Sequence, residues 1–480
     1  MLNKKTISAA ATLLALSTSL PAVSADGSVT LSSSLQTLEA KHELTFKEAV
    51  EAAVGFDAEY KVALRRFEAD KEEVDQAKSR LLPQVNLSAS IAYEDTDNIY
   101  TDESSGYFDP NQARSGGELT DHIWRLSLDQ TLFNYSAYQE FQSSKASVKA
   151  AHYRLQKAEQ DLVYRTTERY LNVLYKAQLV YLNRTIHDAL ALRLAQTQRK
   201  SDLGVGDQLE LYEVQARKDL ARTDLLQAQS DLEDEQTRLS IITGRTFTPP
   251  ISWVKNAHQI VLPIDALMPE QEWLDLAVDN FDYLESEANA DKADLIRSAN
   301  QAGHLPTVSL GVSYNYRDSD DPFREREGLT ASVEMRLPLY QGGKTSSSVR
   351  QSLARFRAQE ATSESIMADA KQKVSLSYAQ IRNTAKRLQA LKQSLLSSQR
   401  YLDAAERGLA LNLRSQLDVL DARTQMLDVQ LRLADALNQY LLADLSLRFQ
   451  VGKLTNDHVS FYDELFSSVG SEMLSAQVSR

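Results

Sequence analysis

Residues 305–317 read Leu305-Pro306-Thr307-Val308-Ser309-Leu310-Gly311-Val312-Ser313-Tyr314-Asn315-Tyr316-Arg317. The proline ends whatever helix precedes it, because its ring clashes with a helical residue at the position before. After it, every second residue is apolar (Val308, Leu310, Val312, Tyr314, Tyr316), and those between are small or polar. Side chains on a strand point alternately to opposite faces, so this pattern predicts a strand with one apolar and one polar side. It occurs three more times. Val85, Leu87, Ala89, Ile91 and Tyr93 alternate with Asn86, Ser88 and Ser90, again after a Leu-Pro pair, Leu82-Pro83. Trp124, Leu126 and Leu128 alternate with Arg125, Ser127 and Asp129, and Leu329, Ala331, Val333, Met335 and Leu337 with Thr330, Ser332, Glu334 and Arg336.

These strands belong to a tandem duplication. Leu82-Pro83-Gln84-Val85-Asn86-Leu87 is repeated as Leu305-Pro306-Thr307-Val308-Ser309-Leu310, and Leu132-Phe133 as Leu339-Tyr340. Leu209-Glu210-Leu211-Tyr212-Glu213 returns as Leu417-Asp418-Val419-Leu420-Asp421, and Gly244 as Gly452. Order is kept throughout, as in a repeat architecture. Each copy reads helix, strand, loop, strand, long helix, turn, helix.

The first copy spans 26–244, with strands over about 84–93 and 123–132 and helices over about 45–80, 136–200 and 209–243. A linker over 245–268 follows. The second copy spans 269–452, with strands over about 307–317 and 329–338 and helices over about 269–303, 345–409 and 415–449. A tail over 453–480 has no clear pattern. The long helices, roughly 65 residues or about 100 Å at 1.5 Å per residue, contain no proline that would break them. The two shorter helices of a copy sum to about one long one, so they can stack end to end beside it. The last helices carry a 3-4 apolar spacing, from Leu211 through Val214, Ala221 and Ala228 to Leu239 and from Val419 through Ala422, Leu433 and Ala436 to Leu447. That spacing predicts coiled-coil packing.

Compartment follows from the first residues. Lys4 and Lys5 precede an apolar run from Ile7 to Leu20, and Val23-Ser24-Ala25 offers small residues for cleavage. The layout predicts a signal peptide over 1–25. The chain has no cysteine, hence neither disulfides nor an acylated cysteine. A net charge of −13 disfavours nucleic acid, whose phosphates call for a basic surface. Beyond the leader no apolar run is long enough for a membrane helix. A membrane crossing must therefore use a closed barrel, in which every backbone group is paired. Four strands are too few to close one, so several chains have to pool their strands. Aromatic girdles are expected from Tyr93, Trp124 and Tyr316 at one interface and from Phe133 and Tyr340 at the other. The seven histidines are scattered, and no catalytic, metal or phosphate motif is present, so neither cofactor nor enzymatic activity is expected.

The opening Leu44-Thr45-Phe46-Lys47-Glu48-Ala49, the Leu-Pro junctions, Leu339-Tyr340-Gln341-Gly342-Gly343, and Leu417-Asp418-Val419-Leu420-Asp421-Ala422 together resemble the TolC family of outer-membrane efflux and secretion channels. The resemblance implies a mainly α fold with transmembrane β: a homotrimer with a twelve-stranded barrel in the outer membrane and a coiled-coil α-helical tunnel in the periplasm. It implies docking to a periplasmic adaptor coupled to an inner-membrane pump, for drug efflux or type I protein secretion. It places periplasmic tip turns at Gly204, Gly206 and Asn412, with asparagine where the family usually keeps glycine. It also favours an acidic ring at the pore entrance from Asp418 and Asp421, joined by Glu210 and Glu213. Arg414 beside that turn is expected as a gate latch, paired with Glu210. The competing expectation is a trimeric coiled-coil adhesin, which leaves the duplicated strand pairs unexplained.

Overall fold

A computed structural model describes residues 45–96, 117–204, 207–256, 259–260, 262, 267–322, 324–411, 413–455 and 458–467. The leader, most of the loop after the first strand, Gly206, Asn412 and residues 468–480 lie outside the described residues. In chain order the elements are α1 (Phe46–Phe56), α2 (Ala58–Ser79), β1 (Gln84–Thr96), β2 (Gly117–Phe133), α3 (Tyr135–Asp202), α4 (Gln208–Thr243) and α5 (Ile251–Asn256). There follow α6 (Glu270–Asp275), a 3₁₀ turn (Leu276–Asp279), α7 (Phe281–Gln301), β3 (Thr307–Ser319), β4 (Arg326–Arg336), α8 (Lys344–Ala410) and α9 (Gln416–Gln450).

The strands form one antiparallel sheet in the order β1-β2-β3-β4. Its register keeps like with like. Leu87 faces Leu126, Leu126 faces Tyr314, and Tyr314 faces Leu329. On the other side Ser88 faces Arg125, Arg125 faces Asn315 and Asn315 faces Gly328. One shift of register, between Thr131 and Phe133, keeps Phe133 opposite Val308. The two halves of the duplication therefore meet within the sheet, at β2 and β3. The outer edges of β1 and β4 have no strand partner among the described residues.

The helices continue this order. β2 runs into α3 after the N-cap Asn134, whose Oδ1 accepts from the Ala137 N–H at 3.0 Å. β4 leads into α8 through Gly342 and Gly343, both with positive φ. Beside the sheet, α3 packs against α2 on one side (Arg154 to Asp70, 3.8 Å) and α7 on the other (Arg154 to Glu285, 2.7 Å). Further along, α3 packs against α4 (Lys176 to Asp231, 2.8 Å) and α9 (Asn438 to Asn172, 3.2 Å). α8 packs on α7 and then on α9. The layer is thus α2 with α4, then α3, then α7 with α9, then α8. The coiled-coil seam is where the spacing places it, with Val214, Ala221, Leu239, Ala422, Ala436 and Leu447 all buried.

Two predicted helices are broken. The helix expected over 45–80 divides at Asp57, and the one over 269–303 divides into α6, the 3₁₀ turn and α7. The cause is the same in both copies. Asp57 Oδ1 accepts from the Tyr60 N–H at 2.7 Å and Asn280 Oδ1 from the Tyr283 N–H at 3.2 Å, each starting a new helix with a side-chain cap. Each break receives the end of its stacked partner. Gly244, at φ 68°, lies under the Phe56 ring, and Gly452, also at φ 68°, lies against the Asp279 carbonyl. Asn280 Nδ2 donates to the Gln450 carbonyl at 2.8 Å, closing the second joint.

The second joint lies within the main core, which gathers Phe46, Tyr170, Leu171, Leu239, Val374 and Leu445 with linker residues Phe247 and Ile260, and the first joint borders it through a smaller cluster of Ala53, Leu162 and Ile242. The tail closes it. Residues 458–467 are helical, and Val459, Tyr462 and Phe466 are buried in this core. Asp463 accepts from the Phe46 and Lys47 N–H groups at 2.7 and 3.1 Å, capping the first helix with a residue from the far end of the chain.

A β-carbon on Gly452 would meet the Asp279 carbonyl oxygen at 2.3 Å, whereas one on Gly204 meets nothing within 4 Å. Both glycines have positive φ, which costs another residue about 1–2 kcal/mol. Gly452→Ala should therefore lower the thermal midpoint in detergent clearly more than Gly204→Ala. Equal shifts would show that the joint carries no packing constraint.

Candidate functional site

The sheet's apolar face is bare. Leu87 is 64% exposed, Ile91 72% and Val333 66%, in a chain whose helices bury their own apolar seams. Strands of 11 to 17 residues meet or exceed the roughly 9–11 that a tilted strand needs to cross a bilayer. No helix among the described residues is long and apolar enough to cross one. Of the girdle residues, Trp124 and Tyr316 are direct cross-strand partners, while Tyr93 stands further along β1 than Ala89, the partner of Trp124. Phe133 and Tyr340 are exposed near the opposite end, where Tyr135 and Tyr138 join them with rings 6.1 Å apart. The sequence reading missed these two because they begin a helix rather than continue a strand.

At the far end of the helices α3 turns into α4 through Gly204 (φ 75°), and α8 turns into α9. Each new helix is capped, and the caps occupy the acidic residues. Ser415 and Asp418 form a reciprocal pair: the Asp418 N–H donates to Ser415 Oγ at 3.1 Å and the Ser415 N–H to Asp418 Oδ2 at 2.8 Å. These bonds from the Ser415 N–H and hydroxyl, with Arg414 nearby, hold the Asp418 carboxyl below its ordinary value. Asp207 caps α4 through the Leu209 N–H at 2.8 Å.

The other carboxylates are bridged by arginines. Arg217 on α4 reaches Asp421 on α9 at 2.5 Å and Glu213 on its own helix at 2.6 Å. The hydrogen bond to Asp421 is the chief reason its guanidinium lies above the ordinary value. Arg193, near the end of α3 and 6% exposed, donates to both Glu210 on α4 and Gln416 on α9. Leu190, Ala221 and Leu420 pack beneath this bridge.

The expected pairing of Arg414 with Glu210 is not formed within the chain. Glu210 is held by Arg193. Arg414 folds back onto the end of α8, its backbone N–H donating to the Gly408 carbonyl at 3.2 Å and its Cγ lying 2.8 Å from where a β-carbon on Gly408 would be. The tight turn after α8 draws Arg414 toward its own helix, whereas Arg193, about two and a half turns back from the end of α3, looks across the layer. No motif marks Arg193 or Arg217. Their position on a seam between helices becomes visible only when the helices are packed. Around the turns Leu203, Leu209, Leu411 and Leu413 are each at least 69% exposed, an apolar rim that no part of the described chain covers.

The outer membrane efflux protein family matches residues 57–245 and 275–453, one block on each copy. The chain is similar to the outer membrane protein TolC of Escherichia coli strain K12, 27% identical, covering 82% of this chain and 79% of that protein. It is similar as well to the proteases secretion protein PrtF of Dickeya chrysanthemi, 24% identical, covering 85% and 88%. Among solved structures it shares its fold with the Campylobacter jejuni outer membrane channel CmeC, with a TM-score of 0.70, 15% identity, and coverage of 87% and 89%.

Removing Arg193 leaves a partly buried Glu210 without its hydrogen-bond donor, a loss of about 1–3 kcal/mol, whereas the more exposed Arg217 bridges contribute under about 1 kcal/mol. Hydrogen exchange in the first turns of α4 and α9 should therefore accelerate more in Arg193→Ala than in Arg217→Ala. The reverse order would assign the anchoring role to Arg217.

Proposed function

This chain belongs to the outer membrane efflux protein family and is an outer-membrane channel protein, and we propose that it is the exit duct of a tripartite export system. The observation that carries this reading is a single sheet, apolar on one face and polar on the other, whose two outer edges have no partner among the described residues. In hydrocarbon each unsatisfied backbone group costs several kcal/mol, so the edges must be closed by other copies. With four strands per chain, β4 of one copy meets β1 of the next in the antiparallel sense that the rest of the sheet uses. Three copies make a twelve-stranded barrel with a watery interior, and α8 of one copy then meets α2 and α4 of the next. The helices extend the barrel into the periplasm.

Charged and polar residues line the passage, and energy comes from elsewhere. The apolar rim at Leu203, Leu209, Leu411 and Leu413 supports docking of a periplasmic adaptor, since exposed apolar patches mark contact surfaces. An inner-membrane pump, proton-driven or ATP-binding, completes the path and chooses the cargo, so one duct serves drug efflux or type I protein secretion. At the periplasmic entrance Asp418 and Asp421, with Glu210 and Glu213, form the acidic ring. Arg193 and Arg217 act as latches between α4 and α9, the role that the sequence reading assigned to Arg414.

The membrane reading is tested on the two faces of the sheet. Val312→Arg and Leu87→Arg place a cation in lipid at about 2–4 kcal/mol near the midplane and should abolish trimer recovery from membranes. Ser309→Arg and Ser88→Arg, on the polar face, should leave it intact. Equal loss in both sets would refute the barrel. At the tip, Arg217→Ala should raise single-channel conductance in planar bilayers. Asp418→Asn with Asp421→Asn should weaken cation selectivity without dissociating the trimer. Both effects should shrink in high salt, since the Debye length falls to about 3 Å at 1 M. Unchanged currents would reduce these residues to helix caps.

A further inference from the structure

We infer that the cell-surface end of the barrel carries a charged constriction, formed where Arg324 on the β3–β4 connection reaches across the lumen face to β1. The inference rests on the duct reading above. It starts from the register at the end of the sheet away from the helices. Asp121 pairs with Ala92 and with Ser319, and Arg317 pairs with Ile123 and Arg326, so Glu94, Asp121 and Arg317 all lie on the polar face.

The β3–β4 connection joins neighbouring strands and has no topological reason to approach β1, about 10 Å away at the usual strand spacing. Yet Arg324 Nη1 lies 2.7 Å from Glu94 Oε2 on β1 and 3.6 Å from Asp121 Oδ2 on β2. Arg317 Nη1 approaches the same Asp121 oxygen at 3.9 Å. At its start the connection continues the β2–β3 pairing: the Asp320 N–H donates to the Thr120 carbonyl at 3.2 Å, and the Thr120 N–H to Asp320 Oδ2 at 3.0 Å. The Arg324 side chain then reaches across β2 to β1 on the polar face.

Asp121 is 6% exposed in a sheet whose faces are otherwise largely open, and its Oδ1 is buried with no hydrogen-bond partner among the described residues. Each copy in the closed barrel thus brings Glu94, Asp121, Arg317 and Arg324 to the outer mouth and narrows it there. The ties are partly exposed charge pairs, which are individually weak. A constriction of that strength yields to cargo driven from the periplasm and resists bulky solutes arriving from outside.

The test uses the full-length protein in intact cells. The chain has no cysteine, so Ser127→Cys on the lumen face gives a single thiol below the constriction. A small membrane-impermeant thiosulfonate added outside should label it at one rate whether or not Arg324 is present. A maleimide carried on a polyethylene glycol of several kilodaltons should label it slowly, and about five-fold faster after Arg324→Ala. Arg324→Lys, which keeps a cation facing both Glu94 and Asp121, should retain the slow rate. If the small reagent fails to label Ser127→Cys in any background, the lumen assignment falls and the constriction with it. If the small reagent labels but the large one enters equally fast in all backgrounds, the duct stands and the constriction is refuted.

Discussion

The backbone edges of β1 and β4 set the terms for everything else in this molecule. A sheet that is apolar on one face and polar on the other can lie between lipid and water, but only if its last two strands find partners. Within lipid no water is available to satisfy them. A four-stranded sheet is too narrow to curl onto itself, so closure has to come from copies of the same chain. Because the strand count is even, the junction between copies is antiparallel like every other junction. The same surface then repeats around the ring, and the helices inherit that order, α2 and α4 at one border and α8 at the other.

Carrying four helical columns from four strands requires two columns to be made of stacked pieces. The duplication solves this twice in the same way. A helix breaks at Asp57 or Asn280, where an Asp or Asn side chain caps a fresh start, and a glycine-terminated helix arrives from the opposite end. Gly244 and Gly452 are needed there for two reasons: a positive φ, and a close approach that a β-carbon would obstruct. The core assembles around these joints, and the linker and tail pack into it. The first helix, capped by Asp463, and the tail therefore stabilise each other across the whole sequence.

The tip is governed by the competition between capping and bridging. All four acidic residues expected at the entrance are engaged within the chain: Asp418 by its own helix start, Glu210 by Arg193, Glu213 and Asp421 by Arg217. A carboxylate that caps a helix and one that holds a neighbouring helix differ in what opening the tip would cost. Asp418 keeps its partner whatever α4 does, whereas Asp421 loses Arg217 when α4 and α9 separate and Gln416 loses Arg193 when α9 leaves α3. The proposed entrance ring and the proposed latch are thus made of overlapping residues with separable roles.

Much of this was legible in the sequence because it depends on local periodicity. Alternation in four segments defined the strands and their lipid-facing sides, the 3-4 spacing defined the seams of α4 and α9, and the repeated Leu-Pro and glycine positions defined the duplication. The exceptions share one physical cause. The breaks at Asp57 and Asn280 look helical by periodicity and arise because a stacked partner has to fit there. The helix at 458–467 has no pattern of its own strong enough to predict, and it forms against a core supplied by the rest of the chain. Arg193 and Arg217 sit in ordinary helical sequence, and only the packing of α3, α4 and α9 brings them to Glu210, Gln416 and Asp421. Arg414, close in sequence to the acidic residues, was drawn away by the turn that contains it. Sequence by itself determined which face of each element is apolar, since that follows from side-chain spacing along one segment. Tertiary structure alone decided which charges meet between elements, since such an ion pair depends on the distance between segments that the chain separates by up to hundreds of residues.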